Sequence, residues 1–197
     1  MLHSKATTCR LSVVNRLVAE RLQQGILTGK MGAKSASGTV IRKATKADSK
    51  AIVGLITGLA NFEHLRPPDS RARIRLVKDI FDRKRAEVLV ATSGETFVGY
   101  ALFFYTYSSF LARPTLYLED IFVREDSRRL GVGRALFMRC VKEAARHGCG
   151  RVEWQVLTWN RKAMKFYEKL GARRIEDYRL FRLDRERMLK LTNSAVS

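Results

Sequence analysis

The chain has 197 residues, of which 46% are hydrophobic and 29% charged, a composition typical of one globular domain with a tail. Its net charge of +19 favours anionic partners such as nucleic acid, an anionic membrane surface or a phosphorylated ligand, without choosing among them. The sequence lacks a long apolar run, which argues against a membrane span, so we expect a soluble protein. Its three cysteines lack metal-binding spacing, which predicts a reducing, cytoplasmic setting and no metal site.

The first 38 residues differ in composition from the rest of the chain. Their arginines are spread through an apolar, acid-poor stretch, which indicates either an organellar targeting helix over residues 1–30 or translation that begins at Met31. We favour the second interpretation. We therefore predict a basic, flexible extension over 1–38, one domain over 39–189 and a short tail over 190–197.

From Thr39 onward, short apolar runs alternate with helical patterns. These patterns predict strands over 39–44, 87–92, 96–107, 115–123, 151–157 and 178–184, and helices over 47–59, 70–81, 131–146 and 160–170. We expect a hairpin around residues 93–95, and we expect Asp48 to cap the first helix. A strand, loop, helix and strand in succession predict a parallel, right-handed crossover. The fold class is therefore α/β or α+β, with a mixed central sheet flanked by helices.

A loop with two glycines, RRLGVGR at residues 128–134, leads directly into the helix predicted over 131–146. A helix N-terminus presents unpaired N–H groups and the positive end of the helix dipole, so we expect an anionic ligand there, most often a phosphate. Gly131 and Gly133 have no side chains to keep a pyrophosphate away from the N–H groups of residues 129–134. The arginines around them add positive charge.

Two common phosphate-binding motifs do not fit this loop. A nucleotide P-loop needs a lysine directly after its second glycine, and none follows Gly133. A dinucleotide fingerprint needs a third glycine where this chain has Leu136, and a tighter turn after the strand. The ligand is therefore expected to be a different phosphate compound.

Three motifs in order resemble the GCN5-related N-acetyltransferases (GNAT) over residues 39–189. They are the glycine loop, Asn160 near the start of the next helix, and Phe166 and Tyr167 followed by Leu-Gly-Ala at 170–172. Details such as YLED at 117–120 are most similar to the spermidine/spermine (diamine) acetyltransferase branch. The resemblance implies the GNAT fold, acetyl-CoA as co-substrate and a homodimer.

The residues expected to contact acetyl-CoA come from three segments. The glycine loop supplies main-chain N–H groups and positive charge. The resemblance adds the backbone of the strand before the loop, which would also polarise the acetyl carbonyl, and the helix that follows Asn160. The complete predicted set is Ile121, Phe122, Val123, Arg128, Arg129, Leu130, Gly131, Val132, Gly133, Arg134, Asn160, Ala163 and Tyr167.

A primary amine must lose a proton before it attacks a thioester, which costs about 4 to 5 kcal/mol at pH 7. Glu119, on the strand before the loop, is predicted to accept that proton as general base. Its neighbour Asp120 is expected to point to the opposite face of the strand. The resemblance assigns Tyr167 as the general acid that protonates the departing thiolate. Cys140 lies within a helical pattern, so we expect direct transfer in a ternary complex rather than an acetyl-cysteine.

The acceptor amine is expected to lie among acidic and aromatic side chains at positions that the resemblance supplies. These positions are Phe62, Glu63, Glu119, Glu153, Trp154, Gln155 and Glu176. Phe62 stands where the branch usually has tyrosine and Ser108 where it commonly has aspartate, so we expect a small diamine or a lysine-like amino acid ahead of spermine. The alternatives are a protein acetyltransferase acting on lysines or N-termini, and a basic nucleic-acid-binding module, for which no motif is visible.

Overall fold

The computed structural model describes residues 38–194. The strands are β1 (Thr39–Lys43), β2 (Glu87–Ser93), β3 (Thr96–Ser108), β4 (Arg113–Val123) and β5 (Arg151–Trp154). The helices are α1 (Ser49–Phe62), α2 (Ser70–Val77) with a π-helical turn over Lys78–Asp82, α3 (Val132–Arg146), α4 (Arg161–Lys169) and α5 (Arg185–Ser194). Within 38–194, no helix combines the length and apolarity that a membrane crossing requires. The predicted targeting segment over 1–30 lies outside the described residues.

The strands form one mixed sheet in the order β1-β2-β3-β4-β5. β1 to β4 are antiparallel, whereas β5 runs parallel to β4, and α3 connects these two strands. β2 and β3 form the predicted hairpin, in which Ser93 pairs with Thr96. The expected mixed sheet with flanking helices is confirmed.

Each face of the sheet carries part of the hydrophobic core. On one face, Ile52 and Leu55 of α1 pack with Val90, Tyr100 and Phe122 of the sheet. Because side chains alternate along a strand, the intervening residues point to the opposite face, where α3 packs against β3 and β4. There α3 buries Leu136, Phe137 and Cys140. Each fully buried large apolar side chain contributes about 1.5 to 3 kcal/mol, so β4, α3 and the glycine loop between them rest on a packed support.

The chain divides into two compact units between Trp154 and Gln155, and each unit is described separately. The first contains the sheet with α1, α2 and α3, and the second contains α4 and α5. The predicted tail from residue 190 begins inside α5. A single domain over 39–189 stays a prediction.

Two predicted strands differ from the structure. β5 ends at Trp154 rather than at residue 157, and it is half-exposed rather than buried because it lies at one edge of the described sheet. The strand predicted over 178–184 does not form, and Tyr178 and Phe181 are 80% and 91% exposed. A strand needs a neighbour to pair with its main-chain groups, and within 38–194 no strand pairs with this segment.

Asp48 does not cap α1 as expected. Although it holds the N-cap position, its carboxylate accepts hydrogen bonds from Arg42 Nη1 and Nη2 at 2.7 and 2.9 Å. It also accepts one from the main-chain N–H of Thr45 at 2.7 Å. The nearly buried carboxylate therefore joins β1 to the start of α1. The hydrogen bonds from Arg42, then those from Thr45, hold the pKa of Asp48 well below its usual range.

We expect Asp48→Ala to lower the free energy of unfolding by about 1 to 3 kcal/mol, because it leaves the Arg42 guanidinium without its partner. A depressed carboxyl pKa stabilises the fold above the unfolded pKa of about 4 and loses that effect as the pH falls through the folded pKa. Urea unfolding at neutral and acid pH measures this effect. The difference in the free energy of unfolding between wild type and Asp48→Ala should be smaller at acid pH than at neutral pH. Asp82→Ala, which removes an exposed pair with Lys46, should behave like wild type at both pH values. An equal loss in both variants would contradict this assignment.

Candidate active site

The glycine loop between β4 and α3 presents main-chain N–H groups without acceptors in the part of the chain that the structure describes. Arg129 and Gly131 have positive φ angles of 65° and 81°, an alternation that turns neighbouring N–H groups toward one side as an anion-binding nest. Among the described residues, none accepts a hydrogen bond from the N–H groups of residues 129–134. The first bonded N–H of the helix is that of Ala135, which donates to the Gly131 carbonyl at 3.0 Å. The loop therefore has the donors that an anion needs.

The two glycines serve the loop differently. Gly131 requires glycine for its backbone, because other residues pay a steric cost at its positive φ. A Cβ built on Gly133 would meet Val123 Cγ2 at 3.7 Å, an ordinary contact. The protein thus leaves room for a Cβ atom at Gly133. If glycine is required at this position, the reason is the close approach of a ligand to the backbone. Val132, between them, is buried and anchors the loop to the core.

The three arginines of the loop have different surroundings. The Arg128 guanidinium lies 4.6 Å from the centre of the Phe62 ring, and its Nε donates to the Val123 carbonyl at 3.0 Å. Arg129 and Arg134 are exposed, and neither forms an ion pair within the described part of the chain. The side chains available for a phosphate are therefore those of Arg129 and Arg134. The Arg128 side chain connects the loop to Phe62 at the end of α1 and to the Val123 carbonyl. A ligand contact by Arg128 stays a prediction.

Within the described residues, the C-terminal part of β4 has one edge with no strand beside it, where the Val123 carbonyl accepts only from Arg128 Nε. β5 pairs only with residues 115–118, and no described strand continues the parallel ladder beside residues 119–123. The Arg124 N–H donates to the Val98 carbonyl, so the main-chain groups of Arg124 point toward β3. Because this direction alternates along a strand, the N–H and C=O groups of Ile121 and Val123 point away from β3. Phe122 instead pairs with Tyr100 and packs in the core. This edge can bond an extended ligand as a strand would.

A β-bulge changes the expected orientation of two acidic residues. Leu102 pairs with Asp120 but the next residue, Phe103, pairs with Leu118, so Glu119 is the extra residue of the bulge. The expectation that Glu119 and Asp120 point to opposite faces is therefore wrong, because an inserted residue removes the alternation. Both carboxylates act on the hydroxyl of Tyr100, which lies on the α1 face.

Three carboxyl groups interact electrostatically with Tyr100: Asp120 and Glu119 on β4, and Glu63 after the end of α1. The Tyr100 hydroxyl donates to Asp120 Oδ2 at 3.0 Å. Burial, with smaller contributions from the charges of Glu119 and Glu63, raises the pKa of Asp120 to about 6, against the lowering effect of that hydrogen bond. Burial also raises the pKa of Glu63. Within 38–194 none of the three forms an ion pair, although the whole chain carries a charge of +19. We call this group the acidic cluster.

The other predicted amine-binding residues lie in several places. Glu153 sits beside Tyr117 in the parallel ladder and pairs with Arg151 at 2.9 Å. Trp154 contacts Phe137 of α3, with ring centres 5.1 Å apart, so it lies on the face of the sheet away from the acidic cluster. Gln155 and Glu176 are exposed residues of the second unit.

Sequence reasoning missed Tyr100 and Asp120 as members of the acidic cluster. One signal was present in the spacing of β4. Leu118 and Ile121 both lie on the α3 face although they are three positions apart, whereas residues on one face of an unbroken strand are an even number of positions apart. Tyr100 carried no signal, because a buried aromatic residue in a strand is ordinary core.

In the second unit, α4 forms where a helix over 160–170 was predicted, and Asn160 caps its N-terminus. The Asn160 side-chain oxygen accepts from the Ala163 N–H at 3.1 Å. Tyr167 is buried, and its ring packs edge-on against Phe166 with centres 5.0 Å apart. The helix ends where Gly171 adopts a φ of 89° and the Ala172 N–H bonds to the Tyr167 carbonyl. These contacts fix the backbone around Tyr167.

Cysteine and metal chemistry find little support in the described residues. Cys140 is buried, and burial raises the pKa of its thiol to about 12, so the nucleophilic thiolate is scarce at neutral pH. No group of His, Cys, Asp and Glu residues within 38–194 is arranged to hold a metal ion. The absence of a metal from the protein's function stays a prediction.

The fold and loop define an α/β protein with main-chain N–H groups, unbonded within the described residues, where a strand passes into a crossover helix. Residues 47–172 match the model of the "Acetyltransferase (GNAT) family". The bovine thialysine N-epsilon-acetyltransferase is 33% identical over 164 residues, which cover 77% of this chain and 96% of that enzyme. The chain therefore belongs to the GNAT family, in its diamine acetyltransferase-like branch, and is an N-acetyltransferase.

Two further similarities differ in what they cover. The L-ornithine N5-acetyltransferase NATA1 of Arabidopsis thaliana is 49% identical over 85 residues, but this match spans only 43% of our chain and 37% of the plant enzyme. An integron cassette protein of V. cholerae superposes with a TM-score of 0.68 over 79% of this chain and 98% of its own, at 22% identity. The second similarity concerns the fold alone.

Proposed function

We propose that this enzyme transfers an acetyl group from acetyl-CoA to a primary amine of a small diamine or a lysine-like amino acid. The observation that carries the proposal is the run of unbonded main-chain N–H groups at residues 129–134. Acetyl-CoA, which the family generally uses, supplies a pyrophosphate for these donors and a thioester as the acetyl source. The edge of β4 at Ile121 and Val123, beside which no described strand lies, supports the binding of its pantetheine arm, and Asn160 and Ala163 remain predicted contacts.

The acidic cluster supports an amine as the second substrate. A protonated amine is attracted by unpaired carboxylates, and a partly buried site strengthens that attraction relative to water. Glu119 is the exposed member at the bulge, so it can accept the proton of the attacking nitrogen directly or through water. The neutral nitrogen then forms a bond to the acetyl carbon, the carbon–sulfur bond breaks, and Tyr167 donates a proton to the thiolate. The second proton that the nitrogen releases as the amide forms restores the Tyr167 hydroxyl.

The chemistry of relatives supports small acceptors. The names of the bovine and plant relatives specify thialysine and L-ornithine, both of which carry a terminal primary amine. The net charge of +19 also disfavours a long polycation at range, although screening leaves the local carboxylates decisive at short distance. We therefore place spermine behind ornithine, thialysine and putrescine. The predicted cytoplasmic location and homodimer remain predictions.

The function is tested by measuring CoA release with L-ornithine, thialysine, lysine, putrescine, spermidine, spermine and a lysine-containing peptide. We expect turnover on the small amines, with the highest kcat/KM for an amino acid or diamine. Turnover confined to the peptide would favour a protein acetyltransferase. No turnover on any acceptor, with CoA bound, would reject the proposal.

The loop is tested separately by thermal unfolding in the presence of CoA. We expect CoA to raise Tm, since a ligand that binds only the folded state stabilises it. Gly131→Ala should weaken CoA binding about tenfold, because a left-handed backbone costs a Cβ-bearing residue about 1 to 2 kcal/mol and the nest relaxes. Gly148→Ala, at the other end of α3, is the matched control, since Gly148 also has a positive φ and open space around its Cβ. Equal CoA affinity in the two variants would argue against the loop as the binding site.

A further inference from the structure

We propose that Tyr100 and Asp120 orient the substrate amine. Tyr100 holds one oxygen of the Asp120 carboxyl group, and the other oxygen accepts a hydrogen bond from the nitrogen that is delivered to Glu119. This inference rests on the proposed function and assigns Asp120 a substrate contact and Tyr100 a positioning role.

The first support is the rigidity of the pair. Tyr100 is fully buried, with 0% of its surface exposed, and its ring belongs to the core formed with α1. Its hydroxyl donates to Asp120 Oδ2 at 3.0 Å, whereas no described residue donates to Oδ1. One carboxylate oxygen is thus fixed by the core, and the other is left for a donor from outside it.

The second support is the bulge at Glu119. It places two consecutive carboxyl groups on the α1 face, where a regular strand would present only one. A primary ammonium group has three N–H donors, so it can bond Asp120 and a proton acceptor at the same time. Hydrogen bonds to both Asp120 and Glu119 therefore hold the amine in one orientation. When Glu119 accepts a proton, the nitrogen lone pair that forms has a fixed direction.

The third support is charge. The groups that act on Asp120 are Tyr100 from β3, Glu119 from β4 and Glu63 from the end of α1. None of these three side chains is basic. Like charges held close together are unfavourable unless a cation neutralises them. An amine substrate supplies that cation.

The dependence of kcat/KM on pH distinguishes this role from a purely structural one. If Tyr100 and Asp120 only stabilised the fold, replacing them would not shift the pH profile. The Asp120 carboxyl group, with a pKa of about 6, must be ionised to attract an ammonium group, so kcat/KM should fall as the pH drops below this value. The Tyr100 hydrogen bond lowers that pKa, so its removal should move the acid limb upward by about one pH unit. Asp120→Asn should remove the contribution of this carboxyl group near pH 6 from the limb.

The experiment compares the full chain with Tyr100→Phe, Asp120→Asn and Tyr105→Phe, using L-ornithine from pH 5 to 9. We expect KM to rise about tenfold in Tyr100→Phe and more in Asp120→Asn, with kcat changed far less. Tyr105→Phe is the matched control on the same strand, because its hydroxyl contacts His147 Nδ1 instead, at 3.0 Å. Its KM and acid limb should equal those of wild type.

Binding of L-ornithine, measured by calorimetry without acetyl-CoA, separates this inference from the proposed function. Weaker binding by Asp120→Asn than by wild type supports the inference. A wild type that binds ornithine yet turns over no amine would reject the proposed function while leaving the contact measurable. Unchanged affinity in Asp120→Asn, or an unshifted acid limb in Tyr100→Phe, would overturn the inference, and so would a wild type that binds no amine.

Discussion

Replacing Glu119 with glutamine is expected to lower kcat/KM for the amine by about 10²- to 10⁴-fold at pH 7, the range typical for loss of a general base. Glutamine retains the length and hydrogen bonding of the side chain but cannot take a proton. An amine with a pKa of about 10.4 is almost fully protonated at pH 7, so its attack requires a group that accepts a proton. The measurement is the rate of CoA release at saturating acetyl-CoA.

The pH dependence of this loss distinguishes a base from a binding residue. As the pH approaches the pKa of the free amine, the substrate deprotonates by itself, and the gap between wild type and Glu119→Gln should narrow. A defect that is constant from pH 7 to 10 would indicate that Glu119 only binds the amine. Glu125→Gln is the matched control, because it makes the same chemical change at an exposed position just beyond β4, and we expect wild-type rates.

Tyr167→Phe is expected to lower kcat by about 10²- to 10⁴-fold, with KM for both substrates changed by less than about threefold. The phenylalanine ring should keep its buried position against Phe166, and the variant lacks the proposed proton donor for the thiolate. Thermal unfolding with and without CoA should show an intact fold and intact cofactor binding.

The control for this variant is Tyr178→Phe in the same unit. Tyr178 is 80% exposed, and removal of its hydroxyl should leave kcat unchanged. Wild-type turnover by Tyr167→Phe would remove this residue from the chemistry. The result would leave acetyl transfer itself in place, since the family assignment does not depend on Tyr167.

Local patterns predicted much of the first unit correctly. The β2–β3 hairpin follows from two β-rich runs on either side of a short turn, and α3 follows from an apolar period that begins at the glycines. Asn160 was identified at the start of a helix, where its side chain caps the N-terminus. These features depend on residues close together in the chain, which is why sequence alone could predict them.

Other features depend on partners distant in the chain. Apolar alternation over 178–184 favours a strand. A strand forms only where its main-chain groups can pair with a neighbouring strand, and no strand of the described sheet pairs with these residues. Arg128 was expected to contact a phosphate, and nothing local indicated that the Phe62 ring would lie 4.6 Å from its guanidinium. Asp48 similarly bonds to Arg42 across a turn instead of capping α1.

The amino-acid sequence by itself determined the order of the elements from β1 to α4, the glycine loop that leads into α3 and the family resemblance, because each depends on residue type and short-range spacing. Only the tertiary structure decided which acids act together. Pairing of β3 with β4 inserts Glu119 as a bulge, turns Glu119 and Asp120 to one face, and brings Asp120 to the hydroxyl of Tyr100, twenty positions away. Register between strands is set by the packing of the whole sheet, so no short stretch of sequence contains it.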